Sequence, residues 1–160
     1  MAVTVTSIQQ IKVVETLPNN TGSAPDATRQ VTHTGFDQSR TMNSGSSPPA
    51  QLCALFTAAL VSGALTIDFR NLTGTNGGVV DGNGMKVQEI RVKNLGANPL
   101  TIVPGASNGL NLFGTSVTIP AGCTTHWAFN NNGTTIDSTH KTIDLSGTAA
   151  QTSQVTVILG

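Results

Sequence analysis

Apolar and polar residues alternate with a period of two over most of the chain. Leu65, Ile67 and Phe69 fall on one side of an extended segment, with Thr66, Asp68 and Arg70 on the other. A period of two puts successive side chains on opposite faces of a strand. In a second segment Gln88, Ile90 and Val92 share one face, and Glu89, Arg91 and Lys93 share the face expected to meet solvent. Shorter alternating runs follow at Leu100 and Ile102, at Val117 and Ile119, and at Thr125, Trp127 and Phe129. Ile143 and Leu145 mark another, and Val155, Val157 and Leu159 mark a final strand expected to pair inside a sheet.

Turn residues separate these runs: Ser62-Gly63, Asp81 to Gly84, Pro120-Ala121-Gly122, Asn130 to Gly133 and Ser146-Gly147. Gly and Asn supply the left-handed backbone that tight turns need. Strands recurring every ~8–15 residues with turns between them indicate an all-β sandwich or barrel. Leu52 to Val61 fits two patterns. Leu52, Leu55, Phe56, Ala59 and Leu60 make a helical stripe that Pro49 would start, whereas a strand would run into the Ser62-Gly63 turn. The strand is preferred because everything after it reads as β. The expected fold is all-β: an antiparallel two-sheet sandwich, jelly-roll-like, of about eight strands.

The first third of the chain behaves differently. Residues 1–17 read as one or two strands, but Pro18 to Pro49 is rich in Pro, Asn, Ser, Gly and Thr and holds few large apolar groups. Such a segment cannot build much core alone. Long loops without structure of their own are uncommon unless they have a function. The expected organisation is therefore residues 1–50 as an N-terminal strand and polar arm or loop, and residues 51–160 as the sandwich. Val31, Phe36 and Met42 are the arm's main apolar groups and its candidate subunit contacts.

Composition narrows the function. Charged residues make up only 10% of the chain, and the formal net charge is zero. The eight basic residues are scattered, with no basic run. Nucleic-acid binding, which depends on clustered Lys and Arg, is not expected. No stretch approaches the ~20 apolar residues of a membrane-spanning helix. The N-terminal sequence has no signal-peptide pattern, so synthesis in a cytoplasm without an export signal is expected. Cys53 and Cys123 are far apart in sequence and are expected to be free, buried thiols.

Three motifs carry potential chemistry. Gly105-Ala106-Ser107-Asn108-Gly109 matches a nucleophile elbow, and Asp137 and His140 follow it in hydrolase order. The elbow requires a strand-to-helix turn in a parallel sheet. Leu110 to Gly114 is too short for that helix, so a glycine-rich strand connection is expected. Cys123 with His126, and Asp137 with His140, have the spacing of metal-ligand pairs. His126 lies in an alternating strand and His140 in a polar turn, so structural histidines are expected and no metal. Asp81 to Gly84 looks like part of a calcium loop but lacks the downstream Glu that would complete it. No paired carboxylates suggest acid–base catalysis. A structural or binding protein, without catalytic residues or cofactors, is expected.

The stretches Ala64 to Gln88, Val92 to Ile102, Val117 to Gly122 and Lys141 to Gln151 resemble small phage and prophage virion structural proteins of β-sandwich type. The resemblance covers roughly residues 64–160 and brings no catalytic residues with it. It implies a virion component, foremost a capsid decoration (cement) protein that stabilises the shell. The implied partners are the major capsid protein or other virion proteins, together with further copies of the chain, a trimer foremost. A phage tail, fibre or baseplate component is the alternative. A carbohydrate-binding module is a further alternative, disfavoured because the chain has no Tyr and one Trp, which alternates as a core residue would.

Overall fold

The computed structural model describes residues 3–10, 13–17, 29–33 and 38–160. The chain divides into two compact units, one of Val5–Thr41 and one of Met1–Thr4 with Met42–Gly160. In the N-terminal region β1 (Thr4–Gln9) pairs with β4 (Gln38–Asn43), and β2 (Val13–Leu17) pairs antiparallel with β3 (Arg29–His33). The polar N-terminal third thus contributes strand pairs of its own.

The larger unit is built on eight strands: β5 (Leu52–Ala59), β6 (Ala64–Asp68), β9 (Val87–Asn94), β10 (Leu100–Pro104), β11 (Val117–Ile119), β12 (Thr124–Ala128), β13 (Thr142–Ser146) and β14 (Thr152–Leu159). A small hairpin, β7 (Leu72–Thr73) and β8 (Val79–Val80), lies between β6 and β9. Leu52–Ala59 is a strand, as its neighbours led us to expect.

The pairing is nested. β5 pairs with β14, β6 with β13, β9 with β12 and β10 with β11, all antiparallel. The chain therefore doubles back on itself as one long hairpin with its tip between β10 and β11. Rolling that hairpin brings β9 onto β14 and β10 onto β13. Two four-stranded sheets result, in the orders β12-β9-β14-β5 and β11-β10-β13-β6. This is the strand order of a jelly roll. The C-terminal strand β14 lies inside its sheet between β9 and β5.

The core lies between the sheets. Ile90, Val92, Val155 and Val157 from one sheet meet Ile67, Leu100, Ile102, Ile143 and Leu145 from the other, all buried. These are the inward positions of the alternating runs. Trp127 packs against the edge of this core, its ring centroid 4.3 Å from that of Phe113. Met42, Ala50 and Ile158 are also buried but lie outside this cluster. The long segment of the sandwich unit begins at Met42, and just after it Ala50 N–H donates to the Asn43 carbonyl at 2.8 Å.

Candidate functional site

Strand direction assigns every loop of the sandwich to one of two ends. The β5–β6, β9–β10, β11–β12 and β13–β14 turns gather at one end. The β6–β9 connection, the β10–β11 loop and the β12–β13 loop gather at the other.

The first end is built on amides. Asn94 is fully buried at the end of β9, in phase with Ile90 and Val92. Its Nδ2 donates to the carbonyls of Asn98 (2.8 Å), Ile119 (3.1 Å) and Pro120 (3.1 Å). Its Oδ1 accepts from Gly96 N–H at 2.9 Å and from Gln151 Nε2 at 2.8 Å. Gln151, also buried, donates to the Asn98 carbonyl at 2.9 Å and accepts from Thr148 N–H at 3.1 Å. The main chain of Gln151 accepts from Leu60 N–H at 2.8 Å. Two side chains therefore tie three loops together, and the Gln151 backbone ties the fourth. The β5–β6 turn is closed by two hydrogen bonds between Val61 and Ala64, with Ser62 and Gly63 both at positive φ. That is the primed hairpin turn that matches strand twist.

This end carries no charge: no Lys, Arg, Asp or Glu occurs at 60–64, 94–100, 119–124 or 146–152. Its surface is apolar and small. Val61 is 77% exposed and Leu95 46% exposed, and Ala97, Pro99, Pro120, Ala121 and Ala149 are exposed beside them. Sequence reasoning took three of these four segments for turns, at 62–63, 120–122 and 146–147, and missed the amide network. The available signal was phase: Asn94 and Gln151 occupy inward positions of their strand patterns.

The opposite end holds the charges and most of the residues singled out from sequence. Lys141 Nζ lies 2.6 Å from Asp68 Oδ2, and Arg70 Nε lies 3.6 Å from Asp81 Oδ1. Partial burial pushes the Asp68 carboxyl up. The Lys141 hydrogen bond, the Arg70 N–H and the charges of both residues outweigh it and hold the carboxyl below its usual range. Asp137 forms a turn in which Oδ1 accepts from the N–H groups of Thr139 (2.6 Å) and His140 (2.7 Å) and from the Thr139 hydroxyl (2.8 Å). Those bonds, Thr139 N–H first, hold the Asp137 carboxyl well below the ordinary range. His140 Nδ1 sits 3.2 Å from Asp137.

Ser107 is exposed in the loop after β10, in an antiparallel sheet and with no helix following. Its carbonyl accepts from the Thr142 hydroxyl at 2.5 Å, and Ala106 N–H donates to Asp144 Oδ2 at 2.8 Å. Among the described residues no hydrogen bond joins Ser107 to His140. The Gly105–Gly109 segment is a strand connection pinned to β13. Asp81 forms a turn through Asn83 N–H at 2.9 Å. Asn130 and Asn131, both at positive φ, form another, closed by Asn132 N–H on the Phe129 carbonyl.

The structure pairs Asp137 with His140 but pairs His126 elsewhere: its Nε2 lies 3.2 Å from Glu89 Oε2. Among the described residues no three His, Cys, Asp or Glu side chains are grouped to hold a metal. Glu89 corrects the expectation of a solvated outward face on β9. It is 5% exposed, as is Ile158 beside it in register, while Arg91 is exposed. One end of that outward face is withdrawn from water. Cys53 and Cys123 are free, but neither is fully buried, and Cys123 is exposed on the β11–β12 turn. Burial pushes the Cys53 thiol up.

Of the suggested subunit contacts, Val31 lies on β3, with its side chain outside the described residues. Phe36 also lies outside the described residues. Met42 is fully buried within the chain.

No family model, no curated protein and no solved structure matches the chain.

Proposed function

We propose that the chain is a virion structural protein of a tailed bacteriophage, foremost a capsid decoration protein bound to the major capsid protein. The observation that carries this reading is the nested eight-strand jelly roll with a separate N-terminal unit of Val5–Thr41. Jelly rolls recur in viral capsid domains, and fold alone assigns no activity. The resemblance of residues 64–160 to virion proteins adds the particle context. Support for a structural role comes from how the candidate catalytic groups are used: Asp137 closes its own turn, and the backbone around Ser107 is bound to β13. A decoration protein would be assembled in the host cytoplasm as a symmetric homo-oligomer, with the Val5–Thr41 unit reaching onto the shell.

Gold-labelled antibody against the chain, applied to induced phage particles, tests the reading by electron microscopy. Label over the capsid supports decoration. Label on the tail moves the protein to the tail, fibre or baseplate class, and unlabelled particles overturn the virion reading. A chain lacking residues 1–41 retains Met42 and should keep a folded sandwich but lose capsid binding. Undiminished binding by that truncation would remove the arm from the proposal.

A further inference from the structure

We propose that Asn132–Gly133, in the β12–β13 loop, is a self-modification site, where the Asn132 amide converts without an enzyme to aspartate and isoaspartate. The other three Asn-Gly pairs of the chain, at 76–77, 83–84 and 108–109, are held against the same reaction. The proposal goes beyond the virion reading and stands without it.

The chemistry is local. The Gly nitrogen loses its proton and attacks the Asn Cγ. A C–N bond forms, the Cγ–Nδ2 bond breaks, and ammonia leaves with the proton. Water then opens the resulting succinimide at either carbonyl, which yields aspartate or isoaspartate. Glycine favours the reaction because it has no Cβ to obstruct the approach. The peptide must still rotate out of its folded geometry, so hydrogen bonds and close packing at the pair oppose it.

Three pairs are opposed in that way. Gly77 N–H donates to the Gly74 carbonyl at 2.9 Å, and Asn76 Oδ1 accepts from Gly78 N–H at 3.1 Å. Gly84 N–H donates to the Ile136 carbonyl at 2.8 Å. The Asn108 carbonyl accepts from the N–H groups of Lys141 (2.8 Å) and Thr142 (3.0 Å) and from the Thr142 hydroxyl (3.1 Å). Gly109 lies against the backbone of Gly105, with no room even for a Cβ.

Asn132–Gly133 is different. Asn132 is exposed and, among the described residues, neither its side chain nor the Gly133 N–H makes a hydrogen bond. Anchors flank the pair instead. Asn131 N–H donates to Gln88 Oε1 at 3.0 Å before it, and Ile136 N–H donates to the Met85 carbonyl at 2.8 Å after it. The space beside Gly133 is open: a Cβ there would meet only the Val87 carbonyl, in ordinary contact at 3.5 Å.

The product changes the surface. Residues 94–136 hold no Lys, Arg, Asp or Glu, so the new carboxylate is the first such charge in that stretch. Lys86 Nζ, bonded to the Asn131 carbonyl at 3.1 Å, stands one peptide away. The formal net charge moves from zero to a single negative charge, and isoaspartate adds a carbon to the backbone of the turn.

The purified full chain, held in mildly alkaline buffer and sampled over time, tests this by peptide mapping with mass spectrometry that separates aspartate from isoaspartate. Asn132 should convert roughly tenfold or more faster than Asn76, Asn83 and Asn108. Ammonia should be released one for one, with an acidic band on isoelectric focusing. In denaturant the four rates should draw together, because the hydrogen bonds of the fold are then gone. Gly133→Ala should keep the fold, checked by circular dichroism, and should clearly slow the conversion. A folded chain in which Asn76, Asn83 or Asn108 converts as fast as Asn132 overturns the proposal, and so does a folded chain in which Asn132 stays intact. A preference for Asn132 that is equally strong in denaturant also overturns it, because its cause would then lie in the sequence and not in the fold.

Discussion

At one end of the sandwich the loops are held by neutral amides buried between the sheets, and at the other by ion pairs and Asp-capped turns at the surface. Asn94 and Gln151 are themselves buried and satisfy loop backbone groups from within, the Ile119 carbonyl among them fully enclosed. Each such bond contributes about 0.5–1.5 kcal/mol net, but losing one leaves a buried group unpaired at a cost of about 1–3 kcal/mol. The pairs Asp68–Lys141 and Arg70–Asp81 are partly or largely exposed. Pairs of that kind contribute about 0–1 kcal/mol and weaken with salt. The charged end has one buried amide too, Gln88, which bonds Gly160 and Asn131. The difference teaches that neutrality at the first end did not cost it order. Its loops are fixed from within, which leaves their outer surface free of charge.

The sharpest way to break this contrast is to remove the amide. Asn94→Leu keeps the approximate shape and deletes every side-chain hydrogen bond that Asn94 makes. The carbonyls of Ile119 and Pro120 and the amide of Gly96 lose their partner together. A destabilisation of about 3 kcal/mol or more is expected by denaturant unfolding. Gln151→Leu should behave similarly, and the double variant should cost clearly less than the sum, because both belong to one network. Strict additivity would show that the two amides act independently.

Matched glycine substitutions probe the two ends at the next level. A Cβ on Gly96 would meet the Gln151 side chain, and one on Gly105 would meet Thr142. Gln151 is locked in its network and Thr142 is bonded to the Ser107 and Asn108 carbonyls, so neither neighbour can give way freely. Gly96→Ala and Gly105→Ala should each cost about 1–3 kcal/mol, measured by thermal melting. A neutral result at Gly96 would mean that Gln151 can repack and that the network is less rigid than drawn.

Much of this architecture was legible in sequence from Leu52 onward. Strict alternation around Ile67, Ile90, Ile143 and Val157 identifies core faces, and paired Gly and Asn identify turns. Strand 52–59 was ambiguous because Ala and Leu suit either element, and its pairing with β14 decided it. The burial of Glu89 was not legible. Alternation tells which face a residue is on but not whether that face is covered. The amide network was half legible, since Asn and Gln at inward phases signal a polar interior. Their partners are backbone carbonyls from loops distant in sequence, which no local pattern reports. The charge-free end needed topology: four separate neutral segments become one surface only when the nested hairpin rolls.

Acid distinguishes the ends more gently. The folded carboxyls of Asp68 and Asp137 sit below their unfolded values. The stability they confer is therefore present above the unfolded pKa of about 3.9 and is lost as pH falls below it toward the folded values. Melting temperature should fall below pH 4 in the parent chain. The fall should be shallower in Asp68→Asn, which should itself cost no more than about 1 kcal/mol at neutral pH and low salt. Asn94→Leu should leave the steepness of the acid limb unchanged, because the amide network does not titrate. An acid limb that flattens in Asn94→Leu would couple the two ends and remove the contrast between them.

The smallest effect is expected at Asp81. Its side chain makes a long ion pair with Arg70 at 3.6 Å and also accepts the Asn83 N–H that shapes the turn. Asn at this position keeps an oxygen for that N–H and removes only the charge. Asp81→Asn should thus change stability by no more than about 0.5 kcal/mol, whereas Asp81→Ala also loses the turn's acceptor and should cost more. The order of these two variants separates the charge from the turn. If Asp81→Asn proved as costly as Asp81→Ala, the ion pair would be holding the β8–β9 connection. The charged end would then depend on its surface charges as firmly as the neutral end depends on its amides.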